Sequence, residues 1–281
     1  MNALIVKKVN ITKKKDKICY LLESLKKYKV SYTIIDYNEV EDFYKKIHNK
    51  NFKNNFNILI SFGGDGTILK SARIARKLKI PILGVNAGTI GFLTAVNDLN
   101  DIDEAIKKLV NKDYNFIDRS MLDVKVYREG KMIFNSYAVN EATITTINIS
   151  KISKYKLFLG KENNTLTELS ADGVIIATPT GSTAHSFSAG GPIVLYDVNC
   201  FIITPICPFT LNQRSYVVNS KKSVNVEVLN NGQFVDIDGR INCDLLLGDK
   251  VVITELKNKV KYIELQNNTF FENIRNKIKA L

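Results

Sequence analysis

The amino-acid sequence predicts two domains, an α/β domain with a parallel sheet followed by an antiparallel β-sandwich domain. A chain of 281 residues is long enough for two, because domains of about 150 residues are typical. Up to about residue 115, segments with helical periodicity alternate with short β-type segments. Beyond that point, β-type segments follow one another closely with turn residues between them, which is typical of an antiparallel sandwich.

The α/β domain is predicted from strands and helices that take turns along the chain. Ile18, Leu21 and Leu25 recur at helical spacing and indicate the apolar face of one helix. Such alternation favours a parallel sheet with helices on both faces. The predicted elements, strand and helix in turn, are Ala3–Val9, Asp16–Tyr28, Val30–Ile35, Val40–Asn49, Phe56–Phe62, Thr67–Leu78, Ile80–Val85 and Asp98–Leu109.

The β-sandwich domain is predicted from a series of short β-type segments separated by turn signals such as Asn230-Asn231-Gly232. The segments are Leu122–Tyr127, Lys131–Ala138, Glu141–Ile147, Lys154–Leu159, Thr165–Leu169, Val174–Ala177, Phe201–Pro205, Val224–Val228, Phe234–Ile237 and Lys250–Leu256. We therefore assign residues 1–115 to the α/β domain and 116–265 to the β-sandwich domain. Residues 266–281 are predicted to form a basic C-terminal helix that packs back on the first domain.

Composition narrows the classes of partner and compartment. The formal net charge of +12 indicates either a polyanionic partner or simply a lysine-rich composition. No segment interleaves aromatics with arginines, so no nucleic-acid partner is expected. No apolar run approaches the length of a membrane helix, so no membrane partner is expected. The cysteines form no CxxC pair and the two histidines are far apart, which predicts no protein-bound metal and a reducing, cytoplasmic location.

The strongest local motif is Gly63-Gly64-Asp65-Gly66-Thr67, which follows a predicted strand and opens a predicted helix. Closely spaced glycines and a helix N-terminus present backbone N–H groups to an anion such as a phosphate chain. A carboxylate in such a loop would repel a bare phosphate, but it suits a general base for a hydroxyl or a metal contact. The alternative is a glycine turn in which Asp65 caps the next helix.

Two weaker motifs follow. Asn86–Leu93 comes directly after the next strand, where loops at the carboxyl ends of parallel strands form ligand sites, so it should share an edge with the glycine loop. In that loop Phe92 either covers a ligand base or packs into the core. The pair Asn140-Glu141 lies in a β-rich stretch and has the chemistry to hold ribose hydroxyls or a base edge, although an isolated glutamate is more often solvated.

The fourth motif is Ala171-Asp172-Gly173 followed by the hydroxyl- and glycine-rich run Thr178–Pro192. Small residues let a ligand approach the backbone closely, and the hydroxyl groups offer hydrogen-bond donors and acceptors. Pro179, Phe187 and Pro192 argue against a flexible linker. The segment is therefore interpreted as a ligand-binding segment.

Together, these motifs are similar to those of the NAD kinase family and occur in that family's order. The resemblance includes GGDGT, the N-x-G-x-x-GFL loop, the Asn-Glu pair, the DG…TPTGSTA-x-S-x-SAGGP block and Thr204–Leu211, and it spans roughly residues 55–250. The combination is specific, whereas GGDGT by itself also resembles the loop of diacylglycerol and sphingosine kinases.

The resemblance implies a Rossmann-like N-terminal domain and a C-terminal β-sandwich, with a site between them that a neighbouring subunit of a dimer or tetramer completes. The implied reaction moves the terminal phosphate of ATP, accompanied by Mg²⁺, to the adenosine ribose 2′-hydroxyl of NAD. Asp65 is then the base, and the glycine loop contacts phosphates. The implied binding residues are Gly63, Gly64, Gly66, Thr67, Asn86, Phe92, Asn140, Glu141, Asp172, Thr180, Thr183, Ala184 and Ser188.

Some positions depart from the family pattern. His185 stands where tyrosine is common, and we retain it as a residue that can stack on a base. Ser170 stands where arginine is frequent, so Lys151 or Arg240 becomes the candidate for the missing phosphate contact. Phe209 replaces a common histidine. None of these changes removes the proposed base.

Two other functions stay open at this point. A lipid kinase of the diacylglycerol type would share the GGDGT loop, and its membrane use would exploit the positive charge. A non-catalytic module that senses NAD or NADP would bind nucleotide without turnover, although a retained Asp65 facing phosphates gives a sensor little benefit.

Overall fold

The computed structural model describes residues 1–8, 17–49, 52–88, 91–146, 151–160, 164–210, 212–265 and 274–275. The chain divides into two units, Met1–Asp118 with the segment from Val260 onward, and Arg119–Lys259. The elements up to the end of the first unit's main segment are β1 (Asn2–Lys7), α1 (Ile18–Lys27), β2 (Ser31–Asp36), α2 (Val40–Lys46), β3 (Ile58–Gly63), α3 (Asp65–Leu78), β4 (Ile82–Asn86), α4 (Ile102–Asn111) and β5 (Asn115–Arg119). The others are β6 (Leu122–Arg128), β7 (Lys131–Ala138), β8 (Glu141–Thr146), β9 (Ser153–Leu159), β10 (Thr165–Ala177), α5 (His185–Ser188), β11 (Cys200–Pro208), β12 (Tyr216–Asn219), β13 (Val224–Val228), β14 (Gln233–Ile237), β15 (Ile241–Leu245), β16 (Lys250–Glu255) and β17 (Val260–Glu264).

The first unit is built on a sheet whose described strands run in the order β2-β1-β3-β4-β17-β5. β1 pairs in parallel with β2 and β3, and β3 pairs in parallel with β4, which confirms the predicted parallel sheet. Buried Ile5, Ile60 and Leu83 form one core with the apolar faces of α1 and α4. Because these strands are parallel, the loops after β1, β2, β3 and β4 all leave from the same edge of the sheet.

β17 corrects the predicted division of the chain. Residues 260–265 are expected in the second domain, but Val260–Glu264 forms a strand of the first unit's sheet, with Tyr262 paired to Ile82 of β4. Val260, Tyr262 and Ile263 are buried there. No β-type segment is predicted after Leu256, and pairing with β4 is a long-range contact that no local pattern indicates.

The second unit is an antiparallel sheet whose strands are hydrogen-bonded continuously from one to the next. Its main path in the described residues is β15-β14-β8-β10-β9-β13-β16-β6-β7, with β11 paired to β10 and β12 paired to β11. The length of β10 explains the continuity, because its first half pairs with β9 and its second half pairs with β8 and β11. One apolar core lies within this sheet and includes Val126, Ile144, Phe201 and Val251.

β10 also corrects a predicted break. Asp172-Gly173 is expected to separate two β segments, yet Thr165–Ala177 is one strand. Gly173 keeps an extended backbone, and a Cβ there would press against the Ile144 carbonyl group of β8. The glycine thus permits close approach of neighbouring strands rather than a turn.

The predicted C-terminal helix lies outside the described residues except for 274–275, which are helical. None of the helices within the described ranges is long and apolar enough to cross a membrane.

Candidate functional site

The glycine motif lies at the junction of β3 and α3. The helix begins at Asp65, two residues earlier than predicted, and Gly64 precedes it with extended backbone angles of φ −92° and ψ −175°. The carbonyl oxygen of Gly64 accepts the N–H groups of Thr67 and Ile68, which closes the first turn. Glycine is needed at position 63 because a Cβ there would overlap the buried Thr67 side chain. Its backbone does not adopt a left-handed conformation.

Asp65 connects this junction to the second loop of the first unit. Its Oδ2 accepts the backbone N–H of Phe92 at 2.9 Å, and its Oδ1 accepts that of Leu93 at 3.0 Å. A Cβ on Gly91 would overlap the Asp65 carboxylate, so glycine is needed for this approach. An ionised carboxylate has about four acceptor positions, so two N–H bonds leave it able to take a proton or contact a metal. Asp65 is thus oriented as well as placed in the loop.

The loop after β4 meets the glycine loop at the same edge, although Thr89 and Ile90 lie outside the described residues. Asn86 is buried at the end of β4, and its Oδ1 accepts the Gly88 N–H at 2.9 Å. The Asn86 side chain therefore shapes the loop. Lys17, which the sequence motifs do not mark, donates from Nζ to the Ala87 carbonyl oxygen at 3.2 Å. Phe92 is half-buried, and its backbone N–H, rather than its ring, makes the contact with Asp65.

The carboxylate chemistry of this edge fits a magnesium ion that arrives on a nucleotide. Mg²⁺ is commonly held by one or two carboxylates together with substrate phosphates and waters. No group of three or more metal-ligating side chains occurs in the described part of the chain. Asp65 is the residue here that would contact such an ion.

In the second unit, the Asn140-Glu141 pair is held by Asp238, which the sequence motifs do not mark. The Asp238 carboxylate accepts three backbone N–H groups, from Val139 at 2.8 Å, Asn140 at 2.9 Å and Glu141 at 3.1 Å. Asp238 itself has a left-handed φ of 49°, which aspartate tolerates better than most residues. These three hydrogen bonds, here called the Asp238 clamp, fix the backbone at the start of β8.

Glu141 is buried beside two other carboxylates. It is 7% exposed, and its Oε2 has no hydrogen-bond partner among the described residues. Burial, followed by the nearby charges of Asp238 and Asp236, raises the pKa of Glu141 to about 8. Burial also raises the pKa of Asp236, although a hydrogen bond from the Gly239 backbone favours its ionised form. Burial raises the pKa of Asp238 as well, although its three backbone N–H partners favour the ionised form. Glu141, with a pKa of about 8, is therefore protonated at neutral pH.

The hydroxyl-rich segment is attached to the same place. The Thr178 N–H donates to the Asn140 carbonyl oxygen at 2.8 Å, and the Thr178 hydroxyl donates to the Val139 carbonyl oxygen at 2.6 Å. A Cβ on Gly181 would overlap the Asn140 backbone. Thr178 and Ser182 are buried and bonded within the fold, whereas Thr183 and Ala184 are partly exposed and His185 and Ser188 are exposed. The structure thus brings Asn140, Glu141 and residues 178–188 together.

Arg119 is a buried cation that the sequence analysis missed. It is 5% exposed, its Nη1 donates to the Thr180 hydroxyl at 3.3 Å, and its guanidinium lies 5.2 Å from the centre of the Tyr196 ring. A buried arginine is costly unless its charge and donors are used, so its location beside Thr180 marks it as functional or structurally essential. No local motif surrounds it in the sequence.

Some predicted residues and departures lie apart from the group of Asn140, Glu141 and residues 178–188. They are Asp172, Lys151 and Ser170. Ala177 pairs with Glu141, and Asp172 lies five positions earlier on β10, so about 16 Å separates the two places along the strand at ~3.3 Å per residue. Lys151 is exposed, two residues before β9 begins, and β9 starts opposite Ala171. Arg240 lies near Asp236 and Asp238 instead. The departures Ser170 and Phe209 are neighbours, since the Phe209 N–H donates to the Ser170 carbonyl oxygen at 2.9 Å.

A glycine-rich strand–loop–helix junction that holds an oriented carboxylate at a helix N-terminus fits phosphoryl transfer, the chemistry of a kinase. Comparison with known proteins identifies the family. Residues 6–114 match the ATP-NAD kinase N-terminal domain, and residues 139–265 match the ATP-NAD kinase C-terminal domain. The chain belongs to the NAD kinase family.

Individual relatives support this assignment. The chain is 37% identical to the NAD kinase of Ruminiclostridium cellulolyticum, over 80% of this chain and 79% of the relative. It is 35% identical to the NAD kinase of Carboxydothermus hydrogenoformans, over 88% of this chain and 84% of the relative. These values cover most of both units.

Solved structures agree. The NAD kinase from Archaeoglobus fulgidus in complex with ATP has a TM-score of 0.75 and 27% identity over the full length of both chains. The yeast NADH kinase complexed with NADH has a TM-score of 0.82 at 21% identity, covering 99% of this chain and 88% of that one, which shows the shared fold. The predicted fold class is thereby confirmed.

Proposed function

We propose that this protein transfers the terminal phosphate of ATP to the adenosine ribose 2′-hydroxyl of NAD, giving NADP and ADP. The 2′-oxygen forms a bond to the γ-phosphorus while the bond from that phosphorus to the β–γ bridging oxygen breaks, and ADP leaves with the bond's electrons. The proton of the 2′-hydroxyl passes to a carboxylate oxygen of Asp65. The observation that supports this proposal is the oriented carboxylate of Asp65 inside a glycine loop at a helix N-terminus.

In this proposal, Asn140, Glu141 and residues 180–188 bind NAD. A protonated Glu141 carries one O–H donor and spare acceptors, so it can both donate to and accept from ribose hydroxyls. Thr183, Ala184, His185 and Ser188 are at least partly exposed where they follow the buried Thr178–Ser182 turn, so they are available to a ligand. Asp172 belongs to the same implied set but lies about 16 Å away along β10. That separation supports a site completed by a neighbouring subunit of a homo-oligomer, with Asp172 contributed by the second copy.

A magnesium ion bound with ATP would offset charge on the transferring phosphoryl group. Asp65 would contact it, and the Gly63–Gly66 backbone would contact the phosphates. We place the enzyme in the cytoplasm, because its cysteines Cys19, Cys200, Cys207 and Cys243 are free thiols, which is typical of a reducing compartment.

The test mixes purified protein with NAD, ATP and magnesium and detects NADP through an NADP-specific dehydrogenase. The comparison variant is Asp65→Asn, which keeps the shape of the side chain. Loss of about 10²-fold or more in kcat with retained nucleotide binding supports Asp65 as the base. Activity that survives in the variant removes that role but keeps the reaction. A wild-type protein that binds NAD without making NADP is a sensor, and one that phosphorylates diacylglycerol in vesicles instead is a lipid kinase.

A further inference from the structure

Two lysine side chains outside the family motifs converge on one aromatic ring in the first unit. The Lys70 Nζ lies 4.1 Å from the centre of the Tyr37 ring and donates to the Tyr37 carbonyl oxygen at 2.8 Å. The Lys8 Nζ lies 5.2 Å from the centre of the same ring. Within the described residues, neither ammonium group forms an ion pair with a carboxylate.

The topology puts this lysine pair beside the glycine loop. Tyr37 is the residue after β2, and Lys8 is the residue after β1, so both stand at the edge where β3 ends in Gly63. The Lys8 N–H donates to the Phe62 carbonyl oxygen at 3.1 Å, directly before the glycine motif. Because β1 lies between β2 and β3, the pair is one to two strand spacings, about 5–10 Å, from the glycine loop. A nucleoside triphosphate can span that distance.

The positive charges of Lys8 and Lys70 would be stabilised by a bound anion. The distances of the two ammonium groups from the shared ring centre keep them no more than about 9 Å apart. That separation is below the Debye length of about 10 Å at moderate salt, so the two groups repel each other. Contact with the electron-rich ring offsets part of this repulsion, and a polyphosphate between or beside them would reverse it. Lys70 is half-buried, and its ammonium group is fixed by the hydrogen bond to the Tyr37 carbonyl oxygen. The charge of Lys70 is therefore preorganised.

We propose that Lys8 and Lys70 form the subsite for the non-transferred phosphates of the donor, while the Gly63–Gly66 loop receives the phosphate that is transferred. This proposal rests on the proposed function, because it names how that site binds its donor. Two ammonium groups at the α- and β-phosphates would also stabilise the negative charge that develops on the departing diphosphate. Acceptor binding by the second unit does not involve them.

The test measures the full-length protein with Lys8→Met, Lys70→Met and the double variant. Lys77→Met is the matched control, because Lys77 is an exposed lysine on the same helix, farther from the glycine loop. The expected result is a KM for MgATP that rises about tenfold in each single variant and further in the double variant, since charge-assisted hydrogen bonds are lost. The KM for NAD should change less than about twofold. Lys70→Arg should retain most of the affinity, which separates charge from folding.

Direct binding of inorganic tripolyphosphate, measured by calorimetry, tests the subsite without turnover. Affinity that falls in the double variant but not in Lys77→Met supports the subsite even if the wild type makes no NADP, an outcome that would count against the proposed function alone. Wild-type protein that does not bind tripolyphosphate, or a double variant with unchanged tripolyphosphate affinity and unchanged KM for ATP, overturns the proposal.

Discussion

The Asp238 carboxylate accepts the backbone N–H of Asn140 at 2.9 Å across 98 residues of sequence. It also accepts the N–H groups of Val139 and Glu141, so a single side chain satisfies three consecutive backbone donors. These donors belong to the turn that presents the Asn-Glu pair. Asp238 therefore positions residues that are proposed to bind NAD, without itself needing to touch the ligand.

Asp238→Ala should destabilise the protein by roughly 2–4 kcal/mol, because several partly buried N–H groups lose their acceptor. Where the protein still folds, the KM for NAD should rise with little change in the KM for ATP. Asp238→Asn tolerates the same left-handed φ but has one carbonyl acceptor, so it should fall between wild type and alanine. Urea denaturation and steady-state kinetics measure the two effects. Asp244→Asn, at an exposed position of β15, is the control, and equal losses in both asparagine variants would contradict the clamp.

Gly91→Ala should disturb Asp65 without changing it. The added Cβ would overlap the Asp65 carboxylate, so this side chain must leave its bonds to the Phe92 and Leu93 N–H groups. Loss of an oriented general base lowers kcat by about 10²-fold or more. Gly88→Ala is a matched control in the same loop, because a Cβ there meets no atom within 4 Å. Comparable kcat values for the two alanine variants would show that the orientation of Asp65 is unimportant.

Local features of the site could be predicted from the sequence, and long-range ones could not. The junction of β3, the glycine loop and α3 consists of consecutive residues, so the motif alone indicates a strand, an anion site and a helix. The partners of Asp65, by contrast, are backbone groups 27 and 28 residues away. A backbone N–H has no sequence signature, so no motif could show that they orient Asp65.

The absence of a local signal for long-range contacts also explains where the predicted fold was wrong. β17 lies outside the predicted β-type segments, and its pairing with β4 depends on the path of the whole chain. Gly173 resembles a turn residue because sequence does not distinguish a glycine that bends the chain from one that admits a neighbouring strand. Asp238 follows the predicted strand Phe234–Ile237 and looks like an ordinary turn aspartate until its bonds to the Asn-Glu turn are seen.

Arg119→Lys should weaken NAD use more than it weakens folding. Lysine keeps the charge but loses the planar guanidinium that reaches the Thr180 hydroxyl and lies over the Tyr196 ring. We expect kcat/KM for NAD to fall about tenfold, which corresponds to about 1.4 kcal/mol, with the KM for ATP unchanged. The assay is the NADP-coupled one. Arg214→Lys, at an exposed arginine of the same unit, should be neutral, and a neutral Arg119→Lys would make Arg119 a packing residue only.

Glu141 should make the stability of the protein fall as pH rises. Its pKa is raised from an ordinary 4.5 to about 8, so between these values the folded state holds a proton that the unfolded state has released. The stabilisation is fully present below about pH 4.5 and is lost as pH rises through about 8. The corresponding slope is at most about 1.4 kcal/mol per pH unit. Asp236 and Asp238, whose pKa values burial also raises, act in the same direction.

Glu141→Gln has the shape of the protonated glutamate at every pH. It should therefore remove much of the dependence of stability on pH. Urea unfolding at pH 5.5, 7 and 8.5 should therefore find the variant close to wild type at the lowest pH and more stable by about 2 kcal/mol or more at the highest. Glu129→Gln, at an exposed turn of the same unit, should follow the wild-type slope at all three values. Parallel curves for wild type and Glu141→Gln would mean that Glu141 is ionised in the folded protein. In that case neighbouring groups must stabilise its charge, and its proposed role as a hydrogen-bond donor to ribose would be wrong.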